Sequence, residues 1–218
     1  HVLAAVNSRV DASKATAMGV IGAFESFQRC FPSDFPNGVL VHGCGAVGGV
    51  VASELVKRGI KTFVVDIDIK KTDINGTISL GNTKNWYEQT FDVILPCSIS
   101  GLINTDISQF LIKTKAIISA ANAPFSNNVI SEKLLKSNVV IIPDPLVNAG
   151  AVIADSIEKY APDAWEKTNP ESVYNFVQDQ IRKKCITYLS LLQSGLTCKE
   201  TLELIQNENN DIIGKAFL

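Results

Sequence analysis

Histidine is nearly absent from the chain. It holds only His1 and His42 in 218 residues. No acid cluster accompanies either, which argues against a histidine-based metal site. Cysteine occurs five times, as Cys30, Cys44, Cys97, Cys185 and Cys198, an odd count with no C-x-x-C pair. Such cysteines read as reduced thiols, and the compartment expected is the cytoplasm. An excess of either charge is also missing: the net charge is −2 and there is no basic stripe. Nucleic acid and acidic membrane surfaces are therefore excluded as expected partners. Apolar runs are short and interrupted, so none spans a membrane, and no n-region followed by an h-region suggests secretion. The single methionine is Met18 and the first residue is His1. A processed chain, or a fragment of something longer, is expected.

What is present is an apolar fraction of 46%, enough for a substantial core in one or two domains. The stretch Val39–Gly49 organises the rest. An apolar run meets a glycine cluster, and a helix-like segment follows from Ala46 to Lys57. Gly43, Gly45 and Gly48 form G-x-G-x-x-G, and Asp66 ends the next apolar run, Thr62–Asp66. The spacing fits a dinucleotide fingerprint. Gly43 would permit the tight turn, Gly45 the approach of a pyrophosphate, and Gly48 close packing of the helix. Phosphates would sit on free N–H groups at the helix start. Asp66 would accept from ribose hydroxyls and repel a 2′-phosphate, which favours NAD over NADP. The competing explanation is a glycine turn that serves packing alone.

Before this unit lie a short apolar run, Val2–Val6, and a helical pattern from Ser13 to Phe31, which Ser13 or Asp11 would cap. After it comes a polar region with turn signals at Asn75-Gly76 and Gly81-Asn82. Strands are then expected at Phe91–Pro96, Lys115–Ala120 and Val139–Ile142, with helices at Ile107–Ile112 and Ser131–Lys136. Near-continuous apolar strands alternating with helices argue for a buried parallel sheet. Asn148-Ala149-Gly150 opens an apolar segment to Tyr160. Beyond Pro162 the pattern is helical, with Gly195 ending a long helix and a capping box at Thr197–Glu200 opening the last one.

Four segments, in order, resemble the cofactor-binding half of the glutamate, leucine, phenylalanine, valine and tryptophan dehydrogenases. Ala15-Thr16-Ala17-Met18-Gly19-Val20 is similar to that family's T-A-x-G-V helix. Val41–Gly48 is similar to V-Q-G-x-G-N-V-G, and Pro96–Asn104 to P-C-A-x-x-x-x-x-N. Ala120-Ala121-Asn122 and then Pro143-Asp144 through Asn148-Ala149-Gly150 resemble A-A-N and P-D-x-x-x-N-A-G-G. The resemblance implies NAD contacts from Thr16, Gly43, Cys44, Gly45, Ala46, Val47, Gly48, Asp66, Ile67, Cys97, Ser98, Ile99, Ala121, Asn122 and Asn148. It places Asn148 and Val152 toward the substrate. Thr16 and Asn148 would lie near the nicotinamide, and Asn122 would bond its ribose or amide. Apolar Val152 and Ile153 lean toward a hydrophobic substrate side chain. Departures are Ala46, Ala123 and Ala151 where the pattern has Asn, Asn and Gly, and Ser13-Lys14-Ala15 in place of a proline-containing approach.

The family's acid–base lysine, in G-G-G-K, and its later aspartate have no counterpart in this chain. No catalytic residue is therefore assigned, and both are expected in a missing N-terminal substrate domain. The expected fold is α/β, a Rossmann-type doubly wound, mostly parallel sheet with extra C-terminal helices. A helical lead-in (1–35), an NAD domain (36–160) and C-terminal helices (161–218) compose it. The expected function is the NAD-binding part of an amino acid dehydrogenase, interconverting an L-amino acid with a 2-oxo acid and ammonia, in a homo-oligomer. The alternatives are an NAD-binding sensor without catalysis and a Rossmann oxidoreductase acting on a hydroxy acid.

Several residues have plainer readings. His42 reads as a core histidine bonded to backbone, Cys97 as cleft lining or packing rather than a nucleophile, and Arg182-Lys183-Lys184 as a solvated face. Asp68 competes with Asp66 as the ribose acid. Thr16 and Asn148 could be an ordinary helix residue and a helix cap.

Overall fold

The computed structural model describes residues 9–207 and 213–217. Val2–Val6 lies outside them. By contacts the chain forms two compact units. One is Ser33–Asn148; the other gathers the chain up to Pro32 with the chain from Ala149 onward.

The continuous unit holds the sheet. Its strands are β1 (Val39–His42), β2 (Thr62–Val65), β3 (Ile78–Ser79), β4 (Val93–Pro96), β5 (Ala116–Ile118) and β6 (Val140–Ile142). All five pairings are parallel, in the order β3-β2-β1-β4-β5-β6. This is the Rossmann order, and the sheet is flanked by helices as expected. β3 is an addition. It falls in the stretch that read as a polar connection, and at two residues it is too short to show periodicity.

Register aligns one row of side chains across the sheet: Phe63, Leu40, Ile94, Ile117 and Ile141. Leu40, Ile94, Ile117 and Ile141 share a core with Trp86, Phe91, Ile103, Leu111, Ile130 and Leu134. Strands buried on both faces need such unbroken apolar sequence.

Writing the helices in chain order, α1 is Ala12–Cys30, α2 Gly48–Lys57, α3 Thr105–Ser108, α4 Asn128–Lys136, α5 Asp144–Val147, α6 Gly150–Tyr160, α7 Pro162–Lys167, α8 Pro170–Gln193 and α9 Cys198–Asn207. The helix expected at Ile107–Ile112 is instead α3 followed by a 3-10 turn, Leu111–Lys113. The reason is Asn104, whose side chain accepts from Ile107 N and starts the helix early. Asn127 does the same for α4 through Ile130 N. Gly59, at φ +72°, follows the C-cap of α2, the left-handed position that favours glycine.

The second unit is helical. Asp11, not Ser13, caps α1, its carboxylate accepting from Ser13 N and Lys14 N. α1 buries apolar residues around most of its circumference and packs chiefly on α8. Gly22 permits the approach, because a Cβ there would lie 2.3 Å from Gln178 O. Glu25 accepts from Gln178 Nε2 and pairs with Arg182. Arg182 and Lys183 also pair with Asp179; of the Arg182-Lys183-Lys184 triplet only Lys183 is exposed, and Arg182 joins α8 to α1 rather than lying on a solvated face. α6 also packs on α1, and it starts at Gly150, where a Cβ would meet Ala15 O at 2.2 Å. That contact is why α6 groups with α1 and the sheet unit ends at Asn148. The capping box is present: Thr197 N donates to Glu200 Oε2 and Glu200 N to Thr197 Oγ1.

Candidate functional site

In a parallel sheet every strand ends at the same edge. The segments following β1, β2, β4, β5 and β6 therefore converge, and they carry most of the residues singled out above. The order reverses between β1 and β4, which makes that edge a topological switch point, where open α/β sheets take ligands.

The glycine loop follows β1. Gly43 has φ +94°, and a Cβ there would lie 2.6 Å from Ser98 Cβ in the segment after β4. Gly48 starts α2, and a Cβ there would fall 1.8 Å from Gly43 O and 3.0 Å from Cys97 Cβ. Both glycines are dictated by the protein's own packing. Gly45 is different: a Cβ there would meet nothing within 4 Å. Ala46 and Val47 form the turn into α2, whose N-terminus has no side-chain cap. Uncapped N–H groups and the macrodipole make a helix start attractive to anions.

Asp66 directly follows β2 and is only 8% exposed. Its Oδ2 accepts from Cys44 N at 2.6 Å and its Oδ1 from Asp68 N at 2.9 Å. The carboxylate thus ties the glycine loop to β2 while each oxygen keeps acceptor capacity. Asp68 is committed elsewhere, capping the 3-10 turn Ile69–Thr72 through Lys70 N. Ile67 lies between them at 93% exposure.

After β4, Cys97 N donates to His42 O at 2.8 Å. Burial pushes the Cys97 thiol up to about 12, and burial with the Asp66 charge pushes Cys44 up to about 11. Neither is a thiolate near neutral pH, so neither is an activated nucleophile. Ser98 is exposed and Ile99 is 65% exposed. The His42 ring keeps a backbone hydrogen bond, as a core histidine would. Its Nδ1 also bonds Ser98 Oγ at 2.8 Å, and its ring meets Trp86 edge-on at 5.0 Å.

The segments after β5 and β6 clasp each other. Asn148 Nδ2 donates to Asn122 Oδ1 at 2.7 Å and to Ala120 O at 3.2 Å. Asp144 Oδ2 accepts from Ala123 N. Asn148 is thus not the cap of α6; that position is Ala149. Ala121 is buried, its carbonyl accepting from Ser119 Oγ. Ala123 O in turn accepts from Gly101 N, joining this clasp to the segment after β4.

Ala123 sits at φ +45°, a region alanine adopts at a cost of about 1 kcal/mol and asparagine tolerates better. Ala123→Asn is expected to raise stability by up to about 1 kcal/mol in chemical denaturation.

Thr16 and Val152 belong to the helical unit. The Thr16 hydroxyl donates to Ala12 O one turn back, and Val152 is 70% exposed on α6. Among the described residues no group of His, Cys, Asp or Glu could hold a metal ion, and no helix is long and apolar enough to cross a membrane.

Trp86 stands too far in sequence from His42, and Asp144 of the P-D motif too far from Ala123, for a local pattern to reveal either contact.

Comparison with known proteins accords with this architecture. The family model for glutamate/leucine/phenylalanine/valine dehydrogenase matches residues 67–206. Phenylalanine dehydrogenase of Lysinibacillus sphaericus is 28% identical over 217 residues, covering 92% of this chain and 56% of the relative. L-tryptophan dehydrogenase of Nostoc punctiforme is 30% identical over 120 residues, covering 53% of this chain and 33% of the relative. The solved structure of a Nostoc punctiforme L-tryptophan dehydrogenase superposes with TM-score 0.74 at 21% identity, over 92% of this chain and 61% of that one. Plasmodium falciparum glutamate dehydrogenase 2 gives 0.72 at 18% identity, over 89% and 50%. The chain thus spans about half the length of the curated relatives it matches. With the sheet order, the glycine loop and a match over most of its length, the chain belongs to the glutamate/leucine/phenylalanine/valine dehydrogenase family, whose members use a nicotinamide cofactor.

Proposed function

We propose that this chain is the NAD-binding part of an amino acid dehydrogenase that interconverts an L-amino acid with a 2-oxo acid and ammonia. The observation that carries the reading is Gly45. Packing accounts for Gly43 and Gly48 but leaves the space a Gly45 side chain would fill empty of protein, at an uncapped helix start on the switch-point edge. A dinucleotide pyrophosphate fits that cradle.

In this reading Gly43, Cys44, Gly45, Ala46, Val47 and Gly48 hold the pyrophosphate through backbone N–H groups. Asp66 accepts from the adenosine ribose hydroxyls, which selects NAD over NADP, and Ile67 lies beside it. Cys97, Ser98 and Ile99 line the crevice after β4. Ala121, Asn122 and Asn148 face the nicotinamide end, with Asn148 toward the substrate. Because Asn122 Oδ1 is taken by Asn148 Nδ2, the Asn122 amide offers a donor and the Asn148 carbonyl an acceptor. The roles of Thr16 and Val152 rest on the family motif alone. Bound NAD supplies the hydride acceptor; the residues supply orientation and electrostatics. The acid–base lysine and aspartate are assigned to a substrate domain outside this chain, and the working protein to a cytoplasmic homo-oligomer.

The test is NAD and NADP titration of the longest native chain, followed by NAD reduction across a panel of L-amino acids. NAD binding at least about tenfold tighter than NADP binding, with turnover on a hydrophobic amino acid, is expected. Binding without turnover on any amino acid would instead favour a sensor, and turnover on a hydroxy acid a different oxidoreductase.

A further inference from the structure

His42 stands where the family pattern V-Q-G has glutamine. It is the last residue of β1, and its register partner is Pro96, the last residue of β4. The strand ends are tied there by Cys97 N donating to His42 O at 2.8 Å. A second tie runs through side chains, from His42 Nδ1 to Ser98 Oγ at 2.8 Å. The imidazole cannot swing away freely, because its ring lies edge-on to buried Trp86 at 5.0 Å. Ser98 sits close against the glycine loop, in the space that a side chain at Gly43 would need: a Cβ there would lie 2.6 Å from Ser98 Cβ. Ser98 is thereby held at one place on the rim of the switch-point crevice.

We infer that His42 is a positioning residue for dinucleotide binding: it fixes the Ser98 hydroxyl, and with it the segment after β4, against the glycine loop. The inference rests on the proposed NAD site. His42 itself touches no ligand in this scheme. Burial holds it well below the ordinary histidine range, at about 4, so the ring is neutral when the site works. In a bond between a neutral imidazole nitrogen and a hydroxyl, one group donates and the other accepts. The bond therefore also fixes which hydrogen-bonding capacity Ser98 has left for a ligand. Glutamine offers both a donor and an acceptor at similar reach, so it can replace histidine in this role. Leucine fills the volume and removes the bond.

The experiment is NAD titration of the wild-type protein and of His42→Leu, His42→Gln, Ser98→Ala and the His42→Leu/Ser98→Ala double variant, each with a thermal melt. His42→Leu and Ser98→Ala are each expected to weaken NAD binding by about tenfold, and the double variant by no more than either alone, because the two residues act as one unit. His42→Gln is expected to bind within about threefold of wild type. A purely structural histidine would lower the melting temperature without this coupling or this rescue. Effects that multiply in the double variant, or a Ser98→Ala protein that binds NAD like wild type, would overturn the inference. Ser98→Ala keeps that arm decisive even if His42→Leu does not fold, because Ser98 is exposed. A wild-type protein that binds no NAD removes the proposed function, and the inference with it. Wild-type binding with unaffected variants removes the inference alone.

Discussion

Gly48→Ala is expected to melt far below the wild-type chain, whereas Gly45→Ala melts with it and loses its dinucleotide affinity. The two glycines are three residues apart in one motif and do different work. A methyl at Gly48 would lie 1.8 Å from Gly43 O, a backbone atom. Relief requires α2 to lift from the β1 turn, at about 3 kcal/mol or more. A methyl at Gly45 meets no protein atom within 4 Å, and Gly45 is not among the residues at positive φ. Its stability cost is therefore small. What the methyl occupies is the approach of a pyrophosphate to the backbone, so NAD affinity should fall by about tenfold or more. Melting curves and NAD titrations on the two variants check this. Equal NAD binding by Gly45→Ala and wild type would show that the cradle serves no ligand.

The second large effect is one of pH. The His42 pKa falls from 6.5 to about 4 in the folded chain, mainly through burial, with the Asp66 charge opposing the shift. The unfolded chain takes up a proton near pH 6.5; the folded chain resists until about 4. Between those values the unfolded state binds more protons, so stability falls as pH falls. The His42 contribution is whole above 6.5 and gone below about 4, and it amounts to as much as about 3 kcal/mol. Denaturant unfolding at pH 7 and pH 4.5 should show a larger loss for wild type than for His42→Gln, the carboxylates being common to both. With only two histidines in the chain, the imidazole resonances also give the His42 midpoint directly. A midpoint near 6.5 would mean the ring is solvated and the inferred tie to Ser98 is weak.

The fold could be read from the sequence wherever one segment's physics was self-contained. Five apolar runs bounded by turn residues became five of the six strands, because a strand buried on both faces must be apolar throughout. Asp11, Gly59 and the Thr197–Glu200 box mark helix ends, since a cap bonds only to its own first or last turn. β3 escaped because two residues carry no period. Ala123 escaped too: alanine gives no sign of a left-handed backbone, and the tertiary bonds of Gly101 and Asp144 hold it there.

The candidate site was legible as a set of residues and illegible as a network. Asn122 and Asn148 were each singled out, yet nothing in the chain between them foretells that one amide donates to the other. The spacing points Asp66 at a ligand, and its bond to Cys44 N exists only because β1 and β2 lie side by side. Long-range hydrogen bonds depend on register, and register is a property of the sheet rather than of any one strand.

The division of the chain also sets the order in which it can fold. The sheet unit is one uninterrupted stretch, Ser33–Asn148. It can condense while the ribosome is still adding the C-terminal helices, as contiguous domains do. The helical unit has no such freedom. α1 ends at Cys30, and its main partner α8 begins only at Pro170. While the sheet is being made, α1 has yet to meet α8, the helix it packs on most. Bringing α1 and α8 together closes a loop of well over a hundred residues, a contact of high sequence separation of the kind that slows folding.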